Sequence, residues 1–328
     1  MALSDLAVYS EYAYLAYSET LRQQINLFNS ATAGSIQLRG SAHQGDYSEE
    51  AFWGKVSGGV VRRRNAYGSG AVSPKSLAHK KDVSVKVAAG TPPIQINPSE
   101  MLWIQRTPEE RGAALGQQMA IDAMADMLNT GLGATYAALV QTTAIVTDVT
   151  SATAPANQAR WMNLNKAQAK FGDASSQIVA WIMHSTPMHD LFGDNLLNAE
   201  RLFTFGNVNV MRDPFGKLLV MTDSPQLVST APTPDVYHIL GLVPGALMIG
   251  ENNDFMANEE TKNGNENIER TYQAEWSYNI GVKGYAWDKA NGGASPTDAA
   301  LFTSTNWDKY ATSEKDLAGV VLEVEAAA

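Results

Sequence analysis

Hydrophobic and polar positions follow two distinct periods along this chain, and each period predicts a different kind of element. Near the start, Tyr14, Tyr17, Leu21, Ile25 and Phe28 succeed one another at intervals of three and four, the spacing of one helical face. Ser4 stands where an N-cap would. A second helix opens at Thr107-Pro108-Glu109-Glu110, with Thr as N-cap, Pro at the first helical position and Glu at the third. The pattern predicts a helix over 107–129 with Gly131 as its stop. Leu115, Met119, Ile121, Met124, Met127 and Leu128 cover most of its surface, leaving a narrow polar stripe of Arg111, Gln118, Asp122 and Asp126. Such a helix, about 34 Å long at the usual rise per residue, must be buried along much of its girth. A shorter helix is predicted over 157–171, with Trp161, Leu164 and Phe171 on one face and Gly172 as stop. Another begins at Ser185.

The period of two appears elsewhere. Residues 82–90 alternate as a half-buried strand does, and 92–104 reads as a second extended piece broken by prolines. Apolar runs of strand length occupy 176–184, 235–243 and 246–251. The segments 207–211 and 217–221 flank Arg212-Asp213-Pro214-Phe215-Gly216, a hairpin signature, and 269–287 holds long alternating strand material. Between 57 and 77, Gly58, Gly59, Gly68 and Gly70 loosen the chain into a loop. Helices and strands intermingle without a regular βαβ order or an internal repeat, which predicts the α+β class.

Composition narrows the functional classes. A chain of 328 residues with 45% hydrophobic and 18% charged residues has ample core. The absence of cysteine excludes a disulfide framework, thiolate metal centres and a cysteine nucleophile. The longest nearly apolar run, 240–250, is too short to span a bilayer and contains Pro244. The first twenty residues lack the basic start and apolar stretch of a signal peptide.

The net charge is 24 − 34 = −10, but its distribution is uneven. From Lys55 to Lys86 eight bases face one acid, a net of +7. From Glu251 onward fourteen acids face six bases, a net of −8. Two readings stand: two separately solvated surfaces, or attraction between copies of the chain.

Catalytic chemistry is hard to assemble. Of His43, His79, His184, His189 and His238, the His184/His189/Asp190 group comes nearest to a metal cluster. Its i, i+5 spacing does not bring both rings to one face. Asp122 and Asp126 lie one helical turn apart, yet Arg111 and the polar stripe explain them as a salt-bridged edge. There is no phosphate loop, dinucleotide fingerprint, nucleophile elbow or zinc-protease motif. Glu251, Asp254, Glu259 and Glu260 lack calcium-loop spacing. No catalytic, cofactor-binding or metal-ligating residue is assigned, and the chain reads as non-enzymatic. The Arg62–Arg64 run, with only Tyr67 interleaved in an acidic chain, makes a poor nucleic-acid reader.

The C-terminal third carries a resemblance. Its phrases are Gly241-Leu242-Val243-Pro244-Gly245-Ala246-Leu247-Met248, Glu269-Arg270-Thr271-Tyr272-Gln273-Ala274-Glu275-Trp276 and Asn279-Ile280-Gly281-Val282-Lys283-Gly284-Tyr285-Ala286-Trp287-Asp288, followed by Asn306-Trp307-Asp308-Lys309 and Lys315-Asp316-Leu317-Ala318-Gly319-Val320. This segment resembles the end of tailed-bacteriophage major capsid proteins, most like those of short-tailed phages such as the Bordetella phages. The resemblance implies the fold that capsids share with encapsulins. That fold has a peripheral domain on a long spine helix, an axial domain around a central sheet, an N-terminal helical arm and an extended two-stranded loop. It places the arm at 1–45, the basic loop at 46–90, the peripheral domain at 91–140 and 251–328, and the axial domain at 141–250.

The implied function is a self-assembling icosahedral head shell enclosing DNA. The expected assembly surfaces are Arg62, Arg63, Arg64, Lys75, Lys80 and Lys81 of the loop, meeting an acidic patch of a neighbour, and Tyr9, Tyr12, Tyr14 and Tyr17 of the arm. The arm's aromatic stripe docks either on its own core or on a neighbour. Expected partners are further copies in pentamers and hexamers, a portal, a cement or decoration protein, and packaged DNA through non-specific contact, with no membrane. A separate scaffolding protein is also expected, because the aromatic arm starts near Met1 where many relatives carry a long charged segment. The implied location is the virion, assembled in the bacterial cytoplasm. An encapsulin-like compartment, a minor head or tail protein, and an enzyme at His184/His189 or Asp122/Asp126 are the alternatives.

Overall fold

Helix α1 (Ser4–Ala31) forms where the aromatic spacing places it, and Tyr17, Leu21 and Phe28 are buried along it. In the computed structural model the described residues are 4–40, 45–56, 58–96, 108–192, 200–205, 208–212, 217–231 and 233–326. For 4–10, 26–27, 31, 96, 108, 200–205 and 208–212 only the course of the backbone is described.

Helix α2 (Pro108–Val140) begins with the predicted proline, while Thr107 lies outside the described residues. It runs past Gly131 instead of stopping there. A Cβ at Gly131 would stand 2.9 Å from both Ile249 Cδ1 and Leu247 Cδ2, and one at Gly133 would stand 2.3 Å from the Phe302 ring. These glycines therefore serve close approach, and burial of Leu132, Ala134, Ala138 and Leu139 carries the helix onward. Ile121, expected on the apolar surface, is 44% exposed. The predicted 157–171 helix is shorter: α3 (Trp161–Ala169) is followed by a 3₁₀ segment, Gly172–Gln177. The helix therefore ends at its Lys170 C-cap, before the predicted stop, and Gly172, at φ +56°, opens the 3₁₀ segment instead. Helices α4 (Ser185–Phe192) and α5 (Asp298–Leu301) complete the set among the described residues.

The strands in chain order are β1 (Ile36–Gly40), β2 (Tyr47–Trp53), β3 (His79–Gly90), β4 (Ile94–Ile96), β5 (Val146–Asp148) and β6 (Ala180–Met183). Then come β7 (Glu200–Phe205), β8 (Val208–Arg212), β9 (Leu218–Thr222), β10 (Val228–Ser229), β11 (Val236–Leu242) and β12 (Leu247–Glu251). Last are β13 (Met256–Lys262), β14 (Glu269–Val282), β15 (Tyr285–Trp287), β16 (Trp307–Lys309) and β17 (Gly319–Glu325). They form two sheets. One runs β1-β12-β14-β15-β16, with β3, β4 and β13 also paired to β14, and β2 paired to β3. The other runs β5-β17-β11-β6-β9-β8-β7, with β10 on β11. The mixture of helices with both sheets gives the α+β class.

Residues Leu247–Glu251 belong with β14, and Gly319–Glu325 returns to the sheet of β6 and β11.

Burial explains the sequence pattern of β14. Its first half alternates, but from Trp276 to Val282 every residue is buried. Tyr278, on the face with Trp276 and Ile280, donates its hydroxyl to Asp126 of α2 at 3.0 Å. The opposite face carries Ser277 and Asn279, joined to Asn252 by hydrogen bonds of 2.9 and 2.7 Å. Buried amides stay there because they satisfy one another.

The glycine phrases have a packing cause as well. A Cβ at Gly241 would stand 2.5 Å from the Trp181 ring, and one at Gly319 would stand 2.0 Å from the Gly241 carbonyl oxygen.

Candidate assembly surfaces

The connection between β2 and β3 contains no helix or strand from Gly54 to Ala78 among its described residues, and residues 58–79 are exposed throughout. Its apolar side chains stand in water: Val60 is 83% exposed, Val61 95% and Tyr67 98%. Arg62, Arg63 and Arg64 lie between them. The loop thus combines exposed apolar side chains with a run of exposed bases.

The base of the loop is tied to its own chain. The Gly54 N–H donates to the Ala78 carbonyl at 2.8 Å, and Lys55 Nζ lies 2.7 Å from Asp316 Oδ2. The six expected loop bases therefore separate. Lys80 is half-buried and donates to the Tyr310 carbonyl, and Lys81 pairs with Glu49 at 3.0 Å. Lys75 reaches across the loop to the Gly59 carbonyl at 3.1 Å. Lys80 and Lys81 thus secure the ribbon below the loop, while Arg62–Arg64 occupy its exposed part. Sequence spacing shows the charge but not these long-range partners.

The aromatic arm divides in the same way. Tyr17 is buried, with its ring 5.0 Å from Phe255 and 6.0 Å from Trp276. It belongs to the core of its own chain. Tyr14 leans on Phe255 at 5.3 Å and stays partly exposed, and Tyr12 and Leu15 face outward. The side chain of Tyr9 lies outside the described residues.

An acidic surface lies on the β13–β14 ribbon, which periodicity alone did not mark as a site. Glu260, Glu266 and Glu275 are exposed there, and Glu259 is held 3.8 Å from Arg270. A groove of about 570 Å³ is lined by Pro93, Met256, Asn258, Glu260, Thr271 and Glu275. It shares Met256, Gln273 and Glu275 with a second groove of about 600 Å³ that reaches Asp254. Met256 is 68% exposed, giving the acidic surface an apolar centre.

The residues considered for chemistry have structural roles. His184 Nε2 lies 3.6 Å from Asp223, and no cluster of three potential metal ligands occurs among the described residues. Asp126 accepts from Tyr278, and partial desolvation at that contact raises its pKa, while both it and Asp122 keep exposed surface. His43 lies outside the described residues. Among the described residues no helix is long and apolar enough to cross a membrane.

The fold is shared with solved phage shells. The capsid of cyanophage Pam1 superposes with a TM-score of 0.54 at 11% identity, covering 89% of this chain and 88% of that one. The capsid of Ralstonia phage GP4 gives 0.52 at 10% identity, covering 90% and 88%. Among curated proteins none matches this chain. The sequence pattern of the Gp13-like family, described as major capsid protein 13-like, matches residues 5–321. With the two-sheet fold, the long α2 helix and the exposed loop, that match over nearly the whole chain shows that it belongs to the major capsid protein 13-like family.

Proposed function

We propose that this capsid protein closes its icosahedral head shell around DNA by laying the 54–78 loop of one copy onto the acidic β13–β14 ribbon of the next. The observation that carries the reading is the exposed loop, in which Val60, Val61 and Tyr67 flank three arginines. From 54 to 78 there are five bases and no acid, a net of +5. From 254 to 275 there are six acids and two bases, a net of −4. Opposite fields steer the encounter, and apolar side chains meeting near Met256 add burial. Each contact is weak, but many simultaneous contacts around fivefold and sixfold clusters make dissociation cooperative. The exposed Tyr12 and Leu15 of α1 supply a second contact. The work is association and not catalysis. A scaffolding protein, a portal and a decoration protein are the partners such a shell takes, with assembly in the host cytoplasm.

The test is negative-stain microscopy and light scattering of the protein, alone and co-expressed with its neighbouring genes. Uniform closed shells that weaken as salt screens the charges are expected. The triple change Arg62→Glu, Arg63→Glu, Arg64→Glu should leave a folded monomer without shells. Normal shells from that variant would refute the loop's role.

A further inference from the structure

The chain contains two Asn-Gly pairs, Asn263-Gly264 and Asn291-Gly292, in opposite settings. The first lies in the turn between β13 and β14, where 261–268 are all exposed. Gly264 has φ +112°, and a Cβ built there would meet nothing within 4 Å. Among the described residues no hydrogen bond holds the Asn263 side chain. The second pair is locked. The Gly292 N–H donates to the Asp288 carbonyl at 2.8 Å, and the Asn291 amide donates to the Asp288 carboxylate. A Cβ at Gly292 would stand 2.2 Å from the Trp287 ring.

We infer that Asn263 is a site of spontaneous deamidation, a modification that makes the ribbon tip more acidic as the protein ages. Asparagine is chemically labile, and its lability is greatest where the next residue has no side chain to obstruct its backbone nitrogen. The Gly264 nitrogen, on losing its proton to water, attacks Asn263 Cγ. The new N–C bond closes a five-membered succinimide, and the Cγ–Nδ2 bond breaks to release ammonia. Water then opens the ring at either carbonyl, giving isoaspartate or aspartate with no change of oxidation state. Either product places a carboxylate beside Glu260, Glu266 and Glu269. Isoaspartate also adds a methylene to the backbone of the turn, next to the Lys262↔Glu269 pair that ends the hairpin ladder. At Asn291 the same attack requires breaking the Gly292 bond and moving both residues, so that pair is protected by the fold.

Incubation of the folded protein at mildly alkaline pH, followed by tryptic peptide mapping, tests this. Cleavage after Lys262 and Arg270 releases 263–270, and cleavage after Lys289 and Lys309 releases 290–309. The first peptide should split into two products, each heavier by one mass unit, with fragmentation placing the change at Asn263. The intact protein should shift by one charge on isoelectric focusing, and Asn263→Ser should abolish both changes. The 290–309 peptide should change only after denaturation. An unaltered 263–270 peptide, or conversion of Asn291 before Asn263 in the folded chain, overturns the inference.

Discussion

At the residue scale, His238 couples three elements. Its ring stacks on Tyr136 of α2 with centroids 4.0 Å apart, and its Nδ1 lies 3.6 Å from Glu323 Oε1 of β17. Tyr136 donates its hydroxyl to the same carboxylate at 2.9 Å, and Asp148 of β5 contributes further negative charge. Burial pushes His238 down to about 4 from its ordinary 6.5. The unfolded chain therefore binds a proton that the folded chain refuses as pH falls through 6.5. Stability drops across that window and levels off below about 4, by roughly 3 kcal/mol for this group. Burial raises the Glu323 pKa, so protonation of that carboxyl stabilises the fold as pH falls and offsets part of the loss. The variant His238→Phe keeps the stacking and removes the proton. Its denaturant midpoint should fall less than wild type between pH 6.5 and 4. A parallel acid limb in both proteins would assign the loss to other groups. Sequence marks His238 only as a histidine in an apolar run. Its partners lie about 100 residues away on one side and 85 on the other.

Element docking turns on a close crossing. A Cβ at Gly116 of α2 would stand 2.2 Å from the Ala13 carbonyl oxygen of α1. The obstacle is backbone, so α1 itself must move. Gly116→Ala gains about 1 kcal/mol of helix propensity, but overpacking costs roughly 1–3 kcal/mol. Net destabilisation is expected, with faster amide exchange confined to α1. An unchanged or raised midpoint with α1 still protected would contradict the crossing.

The same physics decides what could be read in advance. Helix α1 and strands β3, β6, β9, β11 and β14 were legible because each buries one face or one run. The end of α2 was not, since Gly131 signals a stop locally while Leu247 and Ile249 need it as a smooth surface. Strand β17 also escaped, because its partners β11 and β5 are distant in sequence. Lys80 and Lys81 looked like part of one basic loop. Their assignment to Tyr310 and Glu49 depends on the folded ribbon and on the residue that follows β16 in the same sheet.

For the whole molecule, the loop's exposure in one chain and its proposed burial in a shell can be compared directly. Arg62–Arg64 give a protease of tryptic specificity three adjacent bonds in irregular, exposed backbone. In the free protein they should be cut first. The two fragments should remain together, because β2 and β3 pair from Tyr47↔Val85 to Trp53↔His79 and Lys55 binds Asp316. If the proposed contact forms, the same bonds are covered by the ribbon of a neighbour in assembled shells and should resist. High salt should restore cutting in step with the light-scattering loss, since the contact is electrostatic in its approach and apolar only at its centre. Shells cut as fast as free protein would place the loop in solvent after assembly and leave α1 and other surfaces to hold the shell. Protection that persists at high salt would assign the contact to Val60, Val61 and Tyr67, and replacing those three by serine would then abolish shells where the arginine changes do not. The comparison therefore separates charge from apolar burial in the one segment whose sequence combines both.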